Sequence, residues 1–399
     1  MLSTRVSRLA SASALVLACY GGLARADLAG QIETNFVQWD ADHDQQLTLA
    51  ELDVAVADPA VKSEAAAAAV ALRRAARGAT GNAGPLTREA IDALLHSPST
   101  RPASTQPDVD QTGLNESDPD TAPRKPGTGP RLETLYRAAL ARVGAASHRK
   151  LFGERGPSIA GIRQGRIGDC FCLAPLAAMV HRDPASITQR ITTNDDGTFT
   201  VRLGDEAVTV TAPTDGELAL GNAEASTGIW VNVYEKAVGQ SRQKTDADGN
   251  RTSTPLATAS RGGSAGTQLQ VLTGHAIQRF SCKPFRDGSV DAAQQSTLLG
   301  DLRILITETR AAHRLIVCGT GANVKVPGVT SNHAYAVLDY DPKADAVTLW
   351  NPHANDFTPK GEAGLAHGYP MHDGVFTVPL AEVVKFQGGF SFEQATAAK

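Results

Sequence analysis

Cys170 has sequence neighbours that could make its thiol a nucleophile. It follows a glycine-punctuated run at 164–169, and apolar residues recur after it at three- and four-residue spacing from Leu173 to Val180. This spacing predicts a buried helix that begins near Cys170 and ends before Pro184, because the residue preceding a proline disfavours the helical conformation. A thiol at a helix N-terminus meets the positive end of the helix dipole, which favours the thiolate and so the nucleophile. The alternative is a small, inert cysteine in a core helix, the usual place of a free cysteine.

Gln164 could stabilise the negative charge that attack by a thiolate creates on a carbonyl oxygen. Its side-chain amide, six residues before the thiol, can donate to such an oxyanion. The backbone N–H of Cys170 can supply a second donor. The run therefore predicts both a nucleophile and its oxyanion donors.

A hairpin predicted further along the chain carries a candidate base. The stretch 331–340 begins polar and becomes apolar, and a second apolar run follows a group of turn-forming residues. If Tyr340 pairs with Ala346, the antiparallel register makes His333 and Asn351 diagonal neighbours on one face of the sheet. We therefore expect these two side chains to meet.

His333 and Asn351 suit the roles of a general base and of the amide that orients it. The imidazole could take the thiol proton while Asn351 accepts from its other ring nitrogen. Each residue also has an ordinary structural explanation, as a hydrogen-bonded strand-end histidine and as a turn residue before a proline. The order Cys170, His333, Asn351 along the chain is typical of papain-like peptidases and favours the catalytic interpretation.

An acidic segment closer to the N-terminus could bind a cation. It follows a predicted helix at 28–39, whose apolar residues share one face. The segment resembles the calcium-binding loop of an EF-hand, and its oxygen donors have that spacing: Asp40, Asp42, Asp44, the carbonyl of Gln46, Thr48 and Glu51. Gln45 stands where such loops have glycine, and a left-handed conformation there costs about 1–2 kcal/mol, which would weaken calcium binding. The alternative is a solvated acidic entry to a helix.

A degenerate copy of this segment follows. A helix is predicted at 63–76, and Leu86 then aligns with Leu47 at a spacing of 39 residues (86 − 47). The copy has lost its acidic residues. We therefore predict a small all-α EF-hand pair at 27–96, of which only the first loop binds Ca²⁺.

Two segments outside these units are predicted not to belong to a folded core. Residues 1–26 combine a basic start, a short apolar run and the cleavage motif Ala24-Arg25-Ala26. They predict a signal peptide cut after Ala26 and a secreted or periplasmic protein, and a lipoprotein anchored through Cys19 is the less favoured alternative. Residues 97–130 are rich in Pro, Ser, Thr and Asp and predict a flexible linker.

Charge and cysteine content restrict the partners of the chain. Loss of three arginines with the signal peptide changes the net charge from −4 to −7 (−4 − 3), which argues against nucleic acid as a partner. The apolar run of the signal is too short to span a bilayer, so no transmembrane segment is predicted. The sequence leaves open whether Cys282 and Cys318 form a disulfide.

Segments spread over about 131–392 resemble those of calpains and occur in the order of that family. They are 164–170, Trp230 with Glu235-Lys236-Ala237, Leu272-Thr273-Gly274, Asn332-His333-Ala334-Tyr335, Asn351-Pro352, and Asp373-Gly374-Val375-Phe376. The resemblance implies an α+β, two-lobed core, with a helical lobe at 131–275 and an antiparallel β lobe at 276–399. It further implies a calcium-dependent thiol endopeptidase acting on proteins or peptides. Its nucleophile, base, orienting residue and oxyanion donor would be Cys170, His333, Asn351 and Gln164.

Three residues depart from the calpain pattern. Phe171 and His353 stand where the family has tryptophan, and Pro175 falls inside the predicted helix, where it removes a backbone donor and is expected to kink the helix. These departures concern the substrate pocket and turnover. They favour an alternative, a catalytically weak or inactive calcium-binding adaptor on the same fold. A second alternative keeps the thiol chemistry but transfers the acyl group to an amine, which an asparagine rather than an aspartate at 351 disfavours.

Overall fold

The computed structural model describes residues 27–81, 83–96, 129–146 and 150–397. The predicted signal peptide and residues 97–128 of the predicted linker lie outside the described residues. The described chain divides into two units. The first contains the described parts of 1–103 and 123–144 together with 214–219, and the second contains the described parts of 145–213 and 220–399.

The first unit is built mainly from helices. Its elements are α1 (27–39), β1 (Gln46–Leu47), α2 (Leu49–Ala57), α3 (Ser63–Ala76), β2 (Leu86–Thr87), α4 (Arg88–His96), α5 (Leu132–Ala145) and, from the segment 214–219, α8 (Asp215–Leu220). The apolar face predicted for α1 is buried. β1 and β2 pair antiparallel with Leu47 opposite Leu86, so the two aligned segments meet where the repeat predicts equivalence.

The second unit combines two antiparallel sheets with helices. The strands are β3 (Ile191–Thr193), β4 (Phe199–Leu203), β5 (Glu206–Val210), β6 (His275–Ser281), β7 (Ile316–Thr320), β8 (Ala334–Asp341), β9 (Ala346–Trp350), β10 (Val375–Pro379) and β11 (Gln387–Ala397). The helices are α6 (Cys170–Arg182), α7 (Ala185–Arg190), α9 (Trp230–Ser241), α10 (Pro255–Ala259), α11 (Ala265–Thr273), α12 (Ala292–Ala311) and α13 (Leu380–Val383). The larger sheet has the strand order β10-β9-β8-β7-β11-β6, and the smaller has the order β3-β4-β5. This mixture of helices with antiparallel sheets is consistent with the core expected from the sequence.

The helix predicted after Cys170 is confirmed, and so are its limits. α6 begins at Cys170 and ends at Arg182, and from its first residue to Val180 it is buried. The long helix α12 begins at Ala292, where Asp291 and Gln294 form a capping box. Among the described helices, none has both the length and the apolarity that crossing a membrane requires.

The β8–β9 hairpin forms, but its predicted register is wrong near the turn. Tyr340 pairs with Val347 rather than with Ala346. A β-bulge then adds one residue to β8, so that Ala336 pairs with Trp350, as the predicted register requires at that end. The error therefore disappears before the strands reach the candidate site.

Cys282 and Cys318 are free thiols, and both are buried. Cys318 lies on β7, and Cys282 directly follows β6. β11 lies between these two strands in the sheet. The two thiols are thus separated by a strand, which answers the question that the sequence left open.

Candidate active site

Cys170 is the first residue of α6, and its side chain is 5% exposed. It packs against Ala174, one turn further along the helix, and against Ala334 at the start of β8. The backbone N–H of Ala334 faces the sulfur. The thiol is therefore placed beside the chain neighbour of His333.

The thiolate that a helix N-terminus favours is not the stable form of Cys170 in this arrangement. Burial raises the pKa of the thiol to about 12, and the neighbouring Asp169 carboxylate adds to the increase. The Ala334 N–H acts in the opposite direction but does not outweigh burial. The helix dipole favours the thiolate, but the desolvation of the charged form by burial is the larger effect here. The thiol consequently keeps its proton at neutral pH.

His333 and Asn351 are in direct contact, as the hairpin predicts. Nε2 of His333 lies 2.7 Å from Oδ1 of Asn351. The Asn351 amide also donates through Nδ2 to Oδ1 of Asn355 (3.0 Å), which assigns its oxygen to the histidine side. An amide oxygen can only accept, so Nε2 of His333 carries the proton and Nδ1 presents a lone pair. This is the tautomer that a base acting on a thiol needs.

The His333 ring is held by its backbone and by two neighbouring rings. Its N–H donates to Oγ1 of Thr320 (2.9 Å), and its carbonyl accepts from the Thr320 N–H (2.8 Å). Tyr335 contacts the ring edge to face at 5.1 Å between centroids, and His353 lies over it at 4.4 Å. Burial, and then the proximity of His353, lowers the pKa of His333 well below its ordinary value. Burial, and then Arg166, lowers the pKa of His353 to about 4.

Asn351 is fixed by the loop that leads into β10. Its backbone N–H donates to the carbonyl of Gly374 (2.9 Å). Gly374 has φ +81°, and a Cβ there would lie 2.5 Å from the Asn351 carbonyl oxygen. Only glycine combines this conformation with so close an approach.

Gln164 is buried, and its position depends on both sides of the site. Its Nε2 donates to the carbonyl of Ile167 (2.8 Å), which folds the side chain back toward its own loop. Its backbone N–H donates to the carbonyl of Pro352 (2.7 Å), the residue after Asn351. An amide nitrogen carries two hydrogens, so a bond to Ile167 is compatible with donation to an oxyanion.

The structure thus brings His333 and Asn351 together and places Cys170 and Gln164 next to the segments that carry them. One contact of the expected triad is not formed, because Nδ1 of His333 has no hydrogen-bond partner within the described part of the chain. Thr320 was not identified from the sequence, which contains no signal that links it to His333.

The acidic segment of the first unit folds into a tight loop. The carboxylate oxygens of Asp40, Asp42 and Asp44 lie within 4.8 Å of one another. Glu51 accepts from the N–H groups of Ala41 and Thr48, both at 2.8 Å. Burial would raise the pKa of Glu51, but these hydrogen bonds, first among them that of Thr48, hold it below its ordinary value. An all-oxygen donor set of this kind fits Ca²⁺.

The backbone of the acidic loop has the conformation expected of an EF-hand loop at one further position. Gln45 has φ +65°, the left-handed conformation expected at the glycine position.

Asp356, His372 and Asp373 form a second group with donors within 4.8 Å of one another, and all three are exposed. The sequence did not indicate this second group, since its members are separated along the chain.

Comparison with known proteins supports the resemblance drawn from the motifs. A family model described as calpain family cysteine protease matches residues 139–361, more than half of the chain. A search of curated proteins finds no match.

Proposed function

Because the chain belongs to the calpain family of cysteine proteases, we propose that it hydrolyses peptide bonds through a triad of Cys170, His333 and Asn351. The observation that carries this proposal is the 2.7 Å contact between His333 Nε2 and Asn351 Oδ1. It directs the basic Nδ1 of His333 away from Asn351 and makes it available for the thiol proton.

The proposed reaction proceeds in two acyl-transfer steps. The Cys170 sulfur attacks the peptide carbonyl carbon while its proton passes to Nδ1 of His333. Gln164 and the Cys170 N–H donate to the oxyanion. The C–N bond then breaks, the leaving amine takes the proton from His333, and an acyl-thioester remains. Water, deprotonated by the same nitrogen, hydrolyses the thioester and restores the thiol.

This reaction requires the Cys170 sulfur to come into contact with Nδ1 of His333, a contact that the resting arrangement does not form. In the resting arrangement the sulfur faces the Ala334 N–H. Hydrogen bonds in sites without substrate are often long or misaligned and tighten only when substrate binds. We infer that rotation of the Cys170 side chain brings the sulfur to Nδ1 of His333 as substrate enters.

We further propose that the protein is exported and that calcium regulates it. The acidic loop supports calcium binding, because its carboxylates converge and the Glu51 side chain reaches back across the loop. Asp40, Asp42, Asp44, Gln46, Thr48 and Glu51 would hold the ion. Export rests on the signal peptide predicted at 1–26.

The first test is digestion of casein by the mature chain, with and without calcium. We expect Cys170→Ala to abolish cleavage while the variant remains folded, because no other group replaces the sulfur. Cys172→Ala is the matched control, since Cys172 is also buried in α6 but has no proposed role, and it should retain activity. Labelling by a thiol-reactive epoxide should occur at Cys170.

The alternative of a non-catalytic adaptor is favoured by one observation, the raised pKa of the Cys170 thiol. Cleavage by purified Cys170→Ala, or an unaltered chain that neither cleaves nor is labelled, would refute the peptidase proposal. Product analysis with an added amine distinguishes hydrolysis from acyl transfer.

A further inference from the structure

Asn222 lies outside the triad, but its side chain holds the loop that carries Gln164. It is 5% exposed. Its Oδ1 accepts from the N–H of Arg163 (2.7 Å), and its Nδ2 donates to the carbonyls of Gly161 (3.0 Å) and Glu224 (2.7 Å). Two of these three bonds are to the backbone directly before Gln164, so the amide side chain fixes that backbone.

The main chain around Asn222 fixes the same loop over a longer stretch. The Ala223 N–H donates to the carbonyl of Arg163 (2.7 Å), and the Arg166 N–H donates to the carbonyl of Leu220 (2.6 Å). At Gly165 a Cβ would lie 1.7 Å from the carbonyl oxygen of Gly221. The two segments therefore approach so closely that only glycine fits at 165.

Asn222 is itself anchored to α9. Its backbone N–H donates to Oε2 of Glu235 (3.0 Å), a carboxylate that is fully buried. On the other side of the loop, Gln164 donates its backbone N–H to Pro352 (2.7 Å). The backbone of Gln164 is thus held between the segment of Asn222 and the end of the Asn351 segment.

We propose that Asn222 is a positioning residue of the oxyanion site, which sets the place of the Gln164 amide relative to the Cys170 N–H. The inference rests on the proposed function, because it assigns a role in the same reaction. Oxyanion donors act only when they are held where the charge develops. A misplacement of about 1 Å can cost about 100-fold in rate.

The test compares Asn222→Ala with the unaltered chain on a fluorogenic peptide. We expect kcat to fall by roughly 10- to 100-fold with KM within about threefold, because the donor is misplaced in the transition state. Binding of a peptide aldehyde, whose thiol adduct carries an oxyanion, should weaken by a similar factor. Alkylation of Cys170 by iodoacetamide, read site by site from fragment masses, should change by less than about twofold because this displacement creates no oxyanion.

Two controls separate positioning from a general loss of structure. Asn232 is 6% exposed and contacts the same Glu235 oxygen at 3.4 Å, but from within α9, so Asn232→Ala should retain kcat. In a Gln164→Ala background, Asn222→Ala should lower kcat by less than about threefold, since the effects of two residues that act together do not add. Asn222→Asp keeps an oxygen for the Arg163 N–H but can no longer donate to the carbonyls of Gly161 and Glu224, so it should also lower kcat, and it is the deciding variant if Asn222→Ala does not fold.

Equal losses of alkylation and turnover, or full additivity with Gln164→Ala, would overturn the positioning role. Failure of the proposed function has a different signature. An unaltered chain that is alkylated at Cys170 yet hydrolyses no peptide refutes the peptidase, and aldehyde affinity then still tests Asn222.

Discussion

A thiol and an imidazole in one site can share their proton as a neutral pair or as an ion pair. Burial raises the pKa of Cys170 to about 12 and lowers that of His333 well below its ordinary value. Both shifts disfavour charge, so the neutral pair is the stable form in this arrangement. In the proposed mechanism the nucleophile is therefore generated during attack on the substrate, when the proton moves to His333.

This pairing predicts the optical titration of the free enzyme. A thiolate absorbs near 240 nm, and subtracting the spectrum of Cys170→Ala isolates the signal of that sulfur. Because a raised pKa keeps the proton on the thiol until the pH approaches the folded-state value, we expect no thiolate signal between about pH 5 and pH 9. A titration step near neutral pH would instead indicate an ion pair and contradict the neutral-pair assignment.

At the scale of elements, the β8–β9 hairpin explains why two site residues could be predicted from the sequence. Alternation and turn chemistry are local signals, and they predicted the contact between His333 and Asn351. The exact pairing was not predictable near the turn, because a β-bulge depends on packing against neighbouring strands and leaves no local pattern. The bulge compensated for the error at the turn.

The residues that hold the candidate site in place could not be predicted from the sequence. Thr320 reaches His333 from β7, and Asn222 reaches the Gln164 loop from a segment 58 residues away (222 − 164). Neither lies in a periodic pattern or a motif. Likewise, the dipole argument for Cys170 is local, whereas the burial that outweighs it comes from the packing of α6 against β8.

The acidic loop is an element whose proposed role in calcium binding can be separated from its structural role. Glu51 is the last residue of the predicted ligand set, and with Thr48 it also forms the capping box of α2. Glutamine can replace glutamate in a capping box, but it lacks the charge and the bidentate carboxylate that calcium requires.

Glu51→Gln should therefore reduce calcium affinity by on the order of a hundredfold, with little change in the unfolding temperature without calcium. Calorimetric titration with CaCl₂ measures the affinity, and circular dichroism measures the unfolding. Glu33→Gln is the matched control, since Glu33 lies on α1 outside the ligand set. Equal calcium binding by Glu51→Gln and the unaltered chain would exclude the EF-hand assignment.

At the scale of the whole molecule, the path of the chain links the acidic loop to the candidate site. The chain contributes residues 214–219 to the first unit and returns to the second at Leu220. Within the first unit, Oγ1 of Thr214 donates to the carbonyl of Val56 (2.5 Å) near the end of α2, and the N–H of Ser63 donates to Asp215 (2.7 Å). A chain shortened to begin at Arg131 would lack these contacts, so point variants of the full chain are the cleaner test.

We predict that calcium binding at the acidic loop is coupled to catalysis through residues 214–219. α2 contains Glu51, the last residue of the predicted ligand set. Leu220, one peptide bond beyond 214–219, accepts through its carbonyl from the N–H of Arg166 in the Gln164 loop. A shift of α2 on calcium binding would therefore be passed to the Gln164 loop through residues 214–219 and Leu220. We expect calcium to raise kcat/KM about fivefold or more, the lower range of measured couplings, and Thr214→Val to reduce this ratio toward one while calcium affinity changes little. Thr211→Val, at an exposed position three residues before Thr214, should keep the full response. If calcium raises kcat/KM of Thr214→Val by the same factor as that of the unaltered chain, the coupling does not run through 214–219.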